Sequence, residues 1–224
     1  MRRAGSASWR FAEGIEQMPV VALFVRDAVG LGVPPGAELP PRLDGELPDR
    51  SGLVSAGQRR AAGAEWVGWW HAVVAHHVGL QQGAPHGADE RAWLRQQVVQ
   101  AGALFDPPDF ASLAGRSALR DVLRTTFADA LRWADDQSRT LLMPPHGHPG
   151  QFDYETVRSV AEQVAQRHRV SPNAVRGCAI VLPVESIWWR RCSPGAILCS
   201  AHAAGDPDAA RAALTDAFDS GLDT

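Results

Sequence analysis

Lysine is absent from this sequence, and all 22 of its basic residues are arginine. The 25 acidic residues outnumber them and give a net charge of −3, so the chain as a whole does not attract nucleic acid or an anionic membrane. Together with the abundant glycine, the exclusive use of arginine indicates a GC-rich coding sequence. This bias concerns the source of the chain and carries no information about mechanism.

Cysteine is scarce, since the chain holds only Cys178, Cys192 and Cys199. An odd number of cysteines cannot build a complete disulfide framework, and their spacing does not match that of metal ligands. Free cysteine is among the most buried residue types in proteins. We therefore expect three reduced, apolar side chains, and the sequence predicts neither a metal site nor a cofactor.

Long apolar runs are also missing. A helix needs roughly 18 or more apolar residues to cross a bilayer, and no run in this sequence approaches that length. The first apolar run, residues 20–25, is short and is closed by Arg26 and Asp27, which is not the pattern of a secretory signal. The sequence therefore predicts a cytoplasmic protein with no membrane partner.

The short motifs of common enzymes are missing too, including the Gly-x-Ser-x-Gly turn, the Walker loop and the dinucleotide fingerprint. His71, His76 and His77 share one predicted helix with Glu65, but side chains on a helix must lie three or four residues apart to converge. These spacings predict no metal site and no catalytic residues. An enzyme of unrecognised type stays an alternative, and it requires a pocket that gathers His76 or His77 with an acid.

What the sequence does contain is 45% hydrophobic and 21% charged residues, a balance typical of globular proteins. Apolar residues at helical spacing predict about six helices. The first is expected over residues 9–31 with a break near Pro19, because proline fits the first turn of a helix. The others are opened by a capping residue or a proline and are expected over residues 55–78, 89–104, from 117, 153–169 and 206–221.

Two of these helices are expected to pack through faces that contain tryptophan. The helix over residues 55–78 is expected to bury an aromatic face formed by Trp66, Trp69 and Trp70. In the helix over residues 89–104, the residues expected to face inward are Trp93, Leu94, Val98 and Ala101. The pattern thus predicts that both helices pack through these faces.

Strand-forming residues concentrate in residues 176–202. Runs rich in β-branched and aromatic residues predict strands over residues 179–182, 187–191 and 196–201, with a turn between the last two. The sequence thus predicts an α+β protein, mainly α, with about six helices and a C-terminal three-stranded antiparallel meander.

Changes in composition divide the chain into two parts. The helical part, residues 1–138, contains a Pro- and Gly-rich loop at residues 32–52. The C-terminal part, residues 139–224, holds a helix, the β-meander and a terminal helix. We expect the two parts to form one compact body, because the tryptophan-rich helix needs apolar partners.

The second predicted strand contains an aromatic and basic segment, Trp188, Trp189, Arg190 and Arg191. Neighbouring residues of a strand point to opposite faces of the sheet, so one tryptophan can join the core while the other needs cover from a helix or a partner. Tryptophan and arginine are enriched at the centres of protein interfaces. The sequence favours a non-enzymatic protein that binds a macromolecular partner, either an unknown protein or a second copy of itself, through these four residues.

Residues 165–176 resemble the core of a bacterial helix-turn-helix. Ala165 occupies the small-residue position of the first helix, residues 170–172 form the turn, and Val175 lies ten residues after the alanine. In that motif the second helix enters the major groove of DNA. The resemblance implies a DNA-binding transcription regulator with this segment at residues 160–178 and a β-hairpin wing. Its nucleic-acid-binding residues would be Arg167, Arg169, Asn173, Arg176, Arg190 and Arg191.

The two hypotheses require different structures after Pro172. DNA binding requires a helix that begins near Pro172 and continues past Cys178. Partner binding through the sheet requires a strand over residues 178–182, which the β-branched residues of this run favour.

Overall fold

The computed structural model describes residues 9–33, 39–84, 87–142 and 151–222. Within them the chain forms seven α-helices and a four-stranded sheet, so the α+β, mainly α, class is confirmed. The described residues separate into two compact units. Residues 16–140 form the helical unit, and the strand before residue 16 joins the chain after residue 140 in the sheet unit. The predicted boundary near residue 138, and the predicted packing of both parts into one compact body, stay predictions.

The helical unit contains four α-helices, namely α1 (Gln17–Val29), α2 (Ala56–Gln82), α3 (Glu90–Leu104) and α4 (Ser117–Leu142). Short 3-10 turns at Ser51–Leu53 and Ala111–Leu113 precede α2 and α4. The sheet unit contains the strands β1 (Arg10–Gly14), β2 (Arg176–Leu182), β3 (Trp189–Ser193) and β4 (Ala196–Ser200). Its helices are α5 (Tyr154–His168), α6 (Ala201–Gly205) and α7 (Pro207–Gly221).

The expectation of a helix from residue 9 is wrong, because residues 10–14 form β1 and α1 begins only at Gln17. β1 runs parallel to β2 and pairs with residues far along the chain, a partner that local spacing cannot reveal. From Gln17 onward the prediction is confirmed. Pro19 lies in the first turn of α1, and residues 20–25 are completely buried, as an all-round apolar helix requires.

The start of α2 follows the predicted capping box. Gln58 N donates to Ser55 Oγ at 3.3 Å, and Ser55 N donates to Gln58 Oε1 at 2.9 Å. The tryptophans of α2 are fully buried, with the rings of Trp66 and Trp70 stacked 5.5 Å apart. Trp66 Nε1 donates to Ala22 O of α1 at 2.9 Å, so the predicted aromatic face joins the first two helices.

A buried arginine fixes the irregular segment that follows residue 39. Arg26 donates to the carbonyl oxygens of Pro40 and Pro41 at 2.7 and 2.6 Å and forms an ion pair with Asp27 at 2.7 Å. Asp27 in turn accepts from Leu43 N at 2.8 Å. Five donors in a planar fork allow one guanidinium to hold several carbonyl groups at once. The described part of the proline-rich loop is therefore tied to α1.

The predicted inward face of α3 is wrong in part. Trp93 and Ala101 are half-buried, but Leu94 and Val98 are 48% and 73% exposed, while Gln97 is only 9% exposed. The helix packs against α2 along the stripe of residues 93, 97 and 101, which are four apart. Two stripes of residues four apart are available on this helix, and only packing decides which one is buried.

α4 follows the predicted amphipathic pattern. Its fully buried apolar residues are Leu119, Val122, Leu123, Ala130 and Ala134. At its start Leu119 N donates to Glu65 Oε2 of α2 at 2.8 Å. Glu65 therefore satisfies a free amide in the first turn of α4, where a carboxylate also interacts favourably with the helix dipole.

The predicted strands form, but not as an antiparallel meander. The sheet is mixed, with the strand order β1-β2-β4-β3. β2 is parallel to both β1 and β4, and only β3 runs antiparallel to β4. Residues 178–182 of β2 and all of β4 are buried on both faces, as central parallel strands require. The arginines of β3 cannot occupy such a position, so β3 lies at the edge.

The second helix of the predicted helix-turn-helix does not form. Pro172–Ala174 make a single 3-10 turn, and β2 begins at Arg176. α5 ends at His168, and Arg169 adopts a left-handed conformation with φ of 55°. The strand prevails because Ile180 and Val181 are β-branched and lie at the centre of the sheet. The β-hairpin exists, but it belongs to this sheet and is not a wing beside a recognition helix.

One layer of the sheet unit is formed by α5 and α7 on one face of the sheet, around an apolar cluster. Phe11 of β1 contacts Phe152 and Phe218, with ring centroids 5.5 and 5.6 Å apart. Glu13 accepts from Phe152 N at 3.0 Å and so joins β1 to the chain before α5. No helix among the described residues is long and apolar enough to cross a membrane.

Candidate functional site

The edge strand β3 and the residue before it carry the four residues predicted to bind a partner. We call Trp188, Trp189, Arg190 and Arg191 the β3 surface. Among the described residues, no strand pairs with the outer side of β3. Ser200 N donates to Trp188 O at 2.8 Å, and hydrogen-bonded pairs alternate along an antiparallel ladder. The next such pair is Arg190 with Leu198, so the amide and carbonyl of Trp189 point to the open edge.

The two tryptophans differ in their contacts. Trp189 pairs with Cys199 and packs against the apolar cluster beneath α5 and α7. Trp188 is half-buried, and its backbone N–H donates to Ser200 Oγ at 3.1 Å. The side chain of Trp189 therefore anchors the strand to the apolar cluster. Trp188 immediately precedes the strand.

The two arginines lie on opposite faces of β3, because they are neighbours in a strand. Arg191 forms an ion pair with Asp216 of α7 at 3.3 Å, and its side chain is 53% exposed. Arg190 is half-buried and also interacts within the chain. The β3 surface thus carries positive charge on both sides of its open edge.

A β-bulge shortens the regular part of this edge. The register shifts between Arg191 and Ser193, and Cys192 is the extra residue. Cys192 Sγ donates to Ala196 O at 3.4 Å. Burial raises the pKa of the Cys178 thiol to about 12, so this thiol is protonated near neutral pH and is a poor nucleophile.

The residues predicted to bind DNA do not share a recognition helix. Arg167 forms an ion pair with Asp219 of α7 at 3.2 Å, and Arg169 ends α5. Asn173 lies in the 3-10 turn, and Arg176 begins β2. Arg190 and Arg191 are consecutive residues of β3 and belong to the β3 surface.

A second polar cluster, in the helical unit, was not predicted. Glu16 Oε2 accepts from His77 Nδ1 at 3.0 Å, and Gln81 Nε2 donates to Glu16 Oε1 at 3.1 Å. The rings of His76 and His77 lie 5.3 Å apart, and both contact Phe105. We call Glu16, His76, His77 and Gln81 the histidine cluster.

The electrostatics of the histidine cluster follow from burial and from one hydrogen bond. The hydrogen bond from His77 lowers the pKa of Glu16, so the carboxylate is ionised near neutral pH. Burial lowers the pKa of His76 and keeps its imidazole neutral. His77 Nε2 is buried and has no hydrogen-bond partner within the part of the chain that the structure describes. An imidazole held by a carboxylate through Nδ1 can accept a proton at its other nitrogen.

No pattern in the sequence indicates which acid joins this cluster. Glu65, the acid considered beside the histidines, caps α4 instead. Glu16 lies just before α1 and reaches His77 only because α1 packs against α2. Among the described residues, no group of three or more His, Cys, Asp or Glu side chains could hold a metal ion.

Comparison with known proteins found no matching family model, no matching curated protein and no matching solved structure. The functional argument therefore rests on the geometry of the β3 surface and of the histidine cluster.

Proposed function

We propose that this protein is a non-enzymatic, cytoplasmic protein that binds a protein partner through the β3 surface. The observation that carries the proposal is the position of Trp188–Arg191 at the open edge of the sheet. The three cysteines are all free, which fits a reducing compartment.

Strand addition is the mode of binding that this geometry supports. An extended peptide that adds to a sheet edge gains main-chain hydrogen bonds, and the side chains beside the edge provide specificity. The outward amide and carbonyl of Trp189 offer those bonds. Arg190 and Arg191 lie on the two faces of the strand, so the best partner strand carries acidic side chains on both faces.

The bulge at Cys192 limits how much of the edge a partner can use. Short, charged and bulged edges resist unspecific pairing between sheets. Only the segment before the bulge is regular, so the added strand must be short. Ile187, which is exposed next to Trp188, supplies an apolar contact that extends the site.

A photo-cross-linking residue at position 187, introduced into the full chain in cells of the source organism, tests the proposal. We expect one dominant protein adduct that disappears in the double variant Arg190→Glu, Arg191→Glu. Loss of the ion pair between Arg191 and Asp216 should leave the fold intact, because exposed ion pairs contribute about 0–1 kcal/mol. Arg211→Glu is the matched control, since Arg211 is exposed on α7 in the same unit.

Two further results decide the mode of binding. With the partner identified, amide exchange of Trp189 should slow in the complex, because its N–H becomes bonded. An adduct that persists in the double variant, or that is lost equally in Arg211→Glu, would count against the β3 surface.

The histidine cluster favours a second candidate function, an enzyme that uses His77 as a general base. The pairing of Glu16 with His77 and the unpartnered Nε2 support this candidate. General-base catalysis contributes about 10²–10⁴-fold to rate. Hydrolysis of a panel of nitrophenyl esters should fall by such a factor in His77→Gln and also fall in Glu16→Gln. Equal rates in the wild type and both variants would remove this candidate.

A further inference from the structure

Glu16 fixes the hydrogen-bonding roles of its two partners in the histidine cluster. An ionised carboxylate can only accept hydrogen bonds. His77 therefore carries its proton on Nδ1, which lies 3.0 Å from Glu16 Oε2, and Gln81 turns its amide nitrogen to Glu16 Oε1 at 3.1 Å. In the neutral ring of His77, Nε2 is then an acceptor, as is Gln81 Oε1. Both atoms are buried and lack a hydrogen-bond partner among the described residues.

His76 adds a third acceptor beside these two. Its ring lies 5.3 Å from that of His77. Burial lowers the pKa of His76 and keeps the ring neutral, whereas a hydrogen bond with Gln100 raises that pKa. A hydrogen bond that favours the protonated ring is one in which the ring donates, so the remaining nitrogen is an acceptor. That nitrogen, Nδ1, is buried and unpartnered in the part of the chain that the structure describes.

The unpaired atoms lie close to one carboxylate. His77 and Gln81 are four residues apart on α2 and so share a face of the helix. Each binds Glu16 with one polar atom and leaves its other polar atom unpaired, so both unpaired atoms lie within the width of one side-chain group of the carboxylate. The ring of Phe105 contacts both imidazoles, at centroid distances of 6.3 and 6.2 Å. The histidine cluster therefore combines three acceptors, a negative charge and an aromatic ring.

This combination favours a ligand that only donates hydrogen bonds. A primary ammonium group has three N–H donors, no acceptor and a positive charge. It can pair with the three acceptors, it is attracted by Glu16, and it gains from an aromatic ring nearby. A hydroxyl group brings acceptors of its own, and the described residues of the helical unit leave no buried side-chain donor unpaired for them. A metal ion is not favoured, because the described residues offer it no group of three or more His, Cys, Asp or Glu side chains.

We propose that the histidine cluster binds an ammonium group, either the free ion or the end of a primary amine. His77 Nε2, Gln81 Oε1 and His76 Nδ1 accept its hydrogen bonds, and Glu16 is its counter-ion. The cation enters past Glu16, whose side chain is 28% exposed, because His76 and His77 are only 7% and 8% exposed. The site requires no catalysis, so it does not rest on either function proposed above.

NMR of the imidazole nitrogens in the ¹⁵N-labelled full chain tests the proposal. Ammonium and methylammonium chloride are titrated separately at constant ionic strength and pH 8, where imidazole, with an ordinary pKa of about 6.5, is neutral. The signals of His76 Nδ1 and His77 Nε2 should move to lower frequency, because a hydrogen bond shields an acceptor nitrogen. Tetramethylammonium has the same charge but no N–H donor, and it should move neither signal. His71, exposed on the same helix, is the internal control and should not respond.

Two variants locate the site. Glu16→Gln removes the counter-ion and should weaken binding by about tenfold or more, because hydrogen bonds to charged groups are the strong ones. His71→Gln is the matched control and should bind like the wild type. Circular dichroism reports whether both variants fold. If Glu16→Gln does not fold, the contrast between methylammonium and tetramethylammonium in the wild type still decides.

Each contrary outcome overturns the site. Signals that move with neither ammonium nor methylammonium would mean that the cluster binds no ammonium group. Equal shifts with tetramethylammonium would show a response to charge alone, and equal shifts of His71 would show unspecific binding. Unchanged affinity in Glu16→Gln would place the cation elsewhere. Shifts with methylammonium assign the ligand to a primary amine, and shifts with ammonium alone assign it to the free ion.

Discussion

The two compact units differ in how many buried polar atoms they leave without a hydrogen-bond partner. In the sheet unit, Ser200 accepts from Trp188 N and Ala203 N, Ser220 accepts from Gly195 N and donates to Asp216 O, and Ser193 Oγ alone lacks a partner among the described residues. In the helical unit, one buried atom each of His76, His77, Gln81 and Gln97 lacks a partner among the described residues.

This difference has a physical consequence. A buried polar atom without a partner costs roughly 1–3 kcal/mol, whereas a satisfied buried hydroxyl costs little. The helical unit is expected to lose stability on mild acidification, because burial lowers the pKa of its His76. The helical unit keeps titratable groups in its interior, which is a feature of sites that act on protons or ligands. The predictions below contrast the two units, beginning with the largest effect.

Removing the largest buried ring of either unit should destabilise it by a similar amount. Trp66→Ala in the helical unit and Phe218→Ala in the sheet unit each remove a fully buried ring, which costs about 3–5 kcal/mol. Trp66→Ala also leaves Ala22 O without its donor. Chemical denaturation measures the free energy of unfolding of both variants. A much smaller loss for Trp66→Ala would mean that the helical unit is loosely packed.

Two glycines of the helical unit should respond in opposite directions to alanine. A Cβ at Gly63 of α2 would lie 2.6 Å from the backbone of Gly32, so Gly63→Ala should cost about 1–3 kcal/mol through overpacking. Gly102→Ala meets open space and should stabilise the helical unit by up to about 1 kcal/mol. Thermal unfolding measures whether each variant is more or less stable than the wild type. A shift of the same sign in both variants would contradict the close contact at Gly63.

Ser200→Ala tests the satisfied polar groups of the sheet unit. Ser200 Oγ caps α6 and also accepts from Trp188 N, so both amides lose their acceptor. Loss of an N-cap costs about 0.5–2 kcal/mol. The free energy of unfolding and amide exchange at Trp188 and Ala203 report the effect. Unchanged exchange at both amides would show that water replaces the hydroxyl.

The smallest expected effect is a difference in pH dependence. Burial lowers the pKa of His76 from its ordinary value of 6.5, so below that pH the unfolded state binds more protons than the folded state and stability falls. The pKa of Glu16 is also lowered, from 4.5, so its contribution is present above pH 4.5 and is lost as the pH falls further. The protection factors of α2 amides, which correct the exchange rate for its intrinsic pH dependence, should therefore fall between pH 7 and pH 5.5, and those of β2 should not.

The variant His76→Gln provides the control for this pH effect, because it removes the titrating imidazole while it keeps a polar side chain. The protection factors of α2 should then become insensitive to pH above about 5.5, given that Glu16 titrates only at lower values. An unchanged pH response in this variant would assign the effect to a different group.

Local signals predicted most helices correctly. Ser55, Asp89 and Asp153 each cap the helix that they were expected to start, since the hydrogen bonds of a cap join residues within three positions of each other. The strong amphipathic period of α4 and the apolar run of α1 also matched the structure. In these segments, the residues whose contacts determine the helix are close to one another in the sequence.

Strand pairing and side-chain partners could not be predicted in the same way. β1 looked helical because its partner, β2, lies at the far end of the chain. The order of the C-terminal strands was mistaken, although the arginines of β3 already argued for an edge. The histidine cluster could not be found, because Glu16 and His77 meet only after α1 and α2 pack.

By itself, the sequence determined where most helices of this protein begin and which C-terminal runs form strands, because caps, periodicity and β-branched content act over a few residues. The tertiary structure alone decided that β2 and β4 lie at the centre of the sheet, that Arg190 and Arg191 lie at its edge, and that α3 buries Gln97 while it exposes Val98. Those outcomes depend on which distant surfaces pack together, and the free energy of that packing is not encoded in any short stretch of the chain.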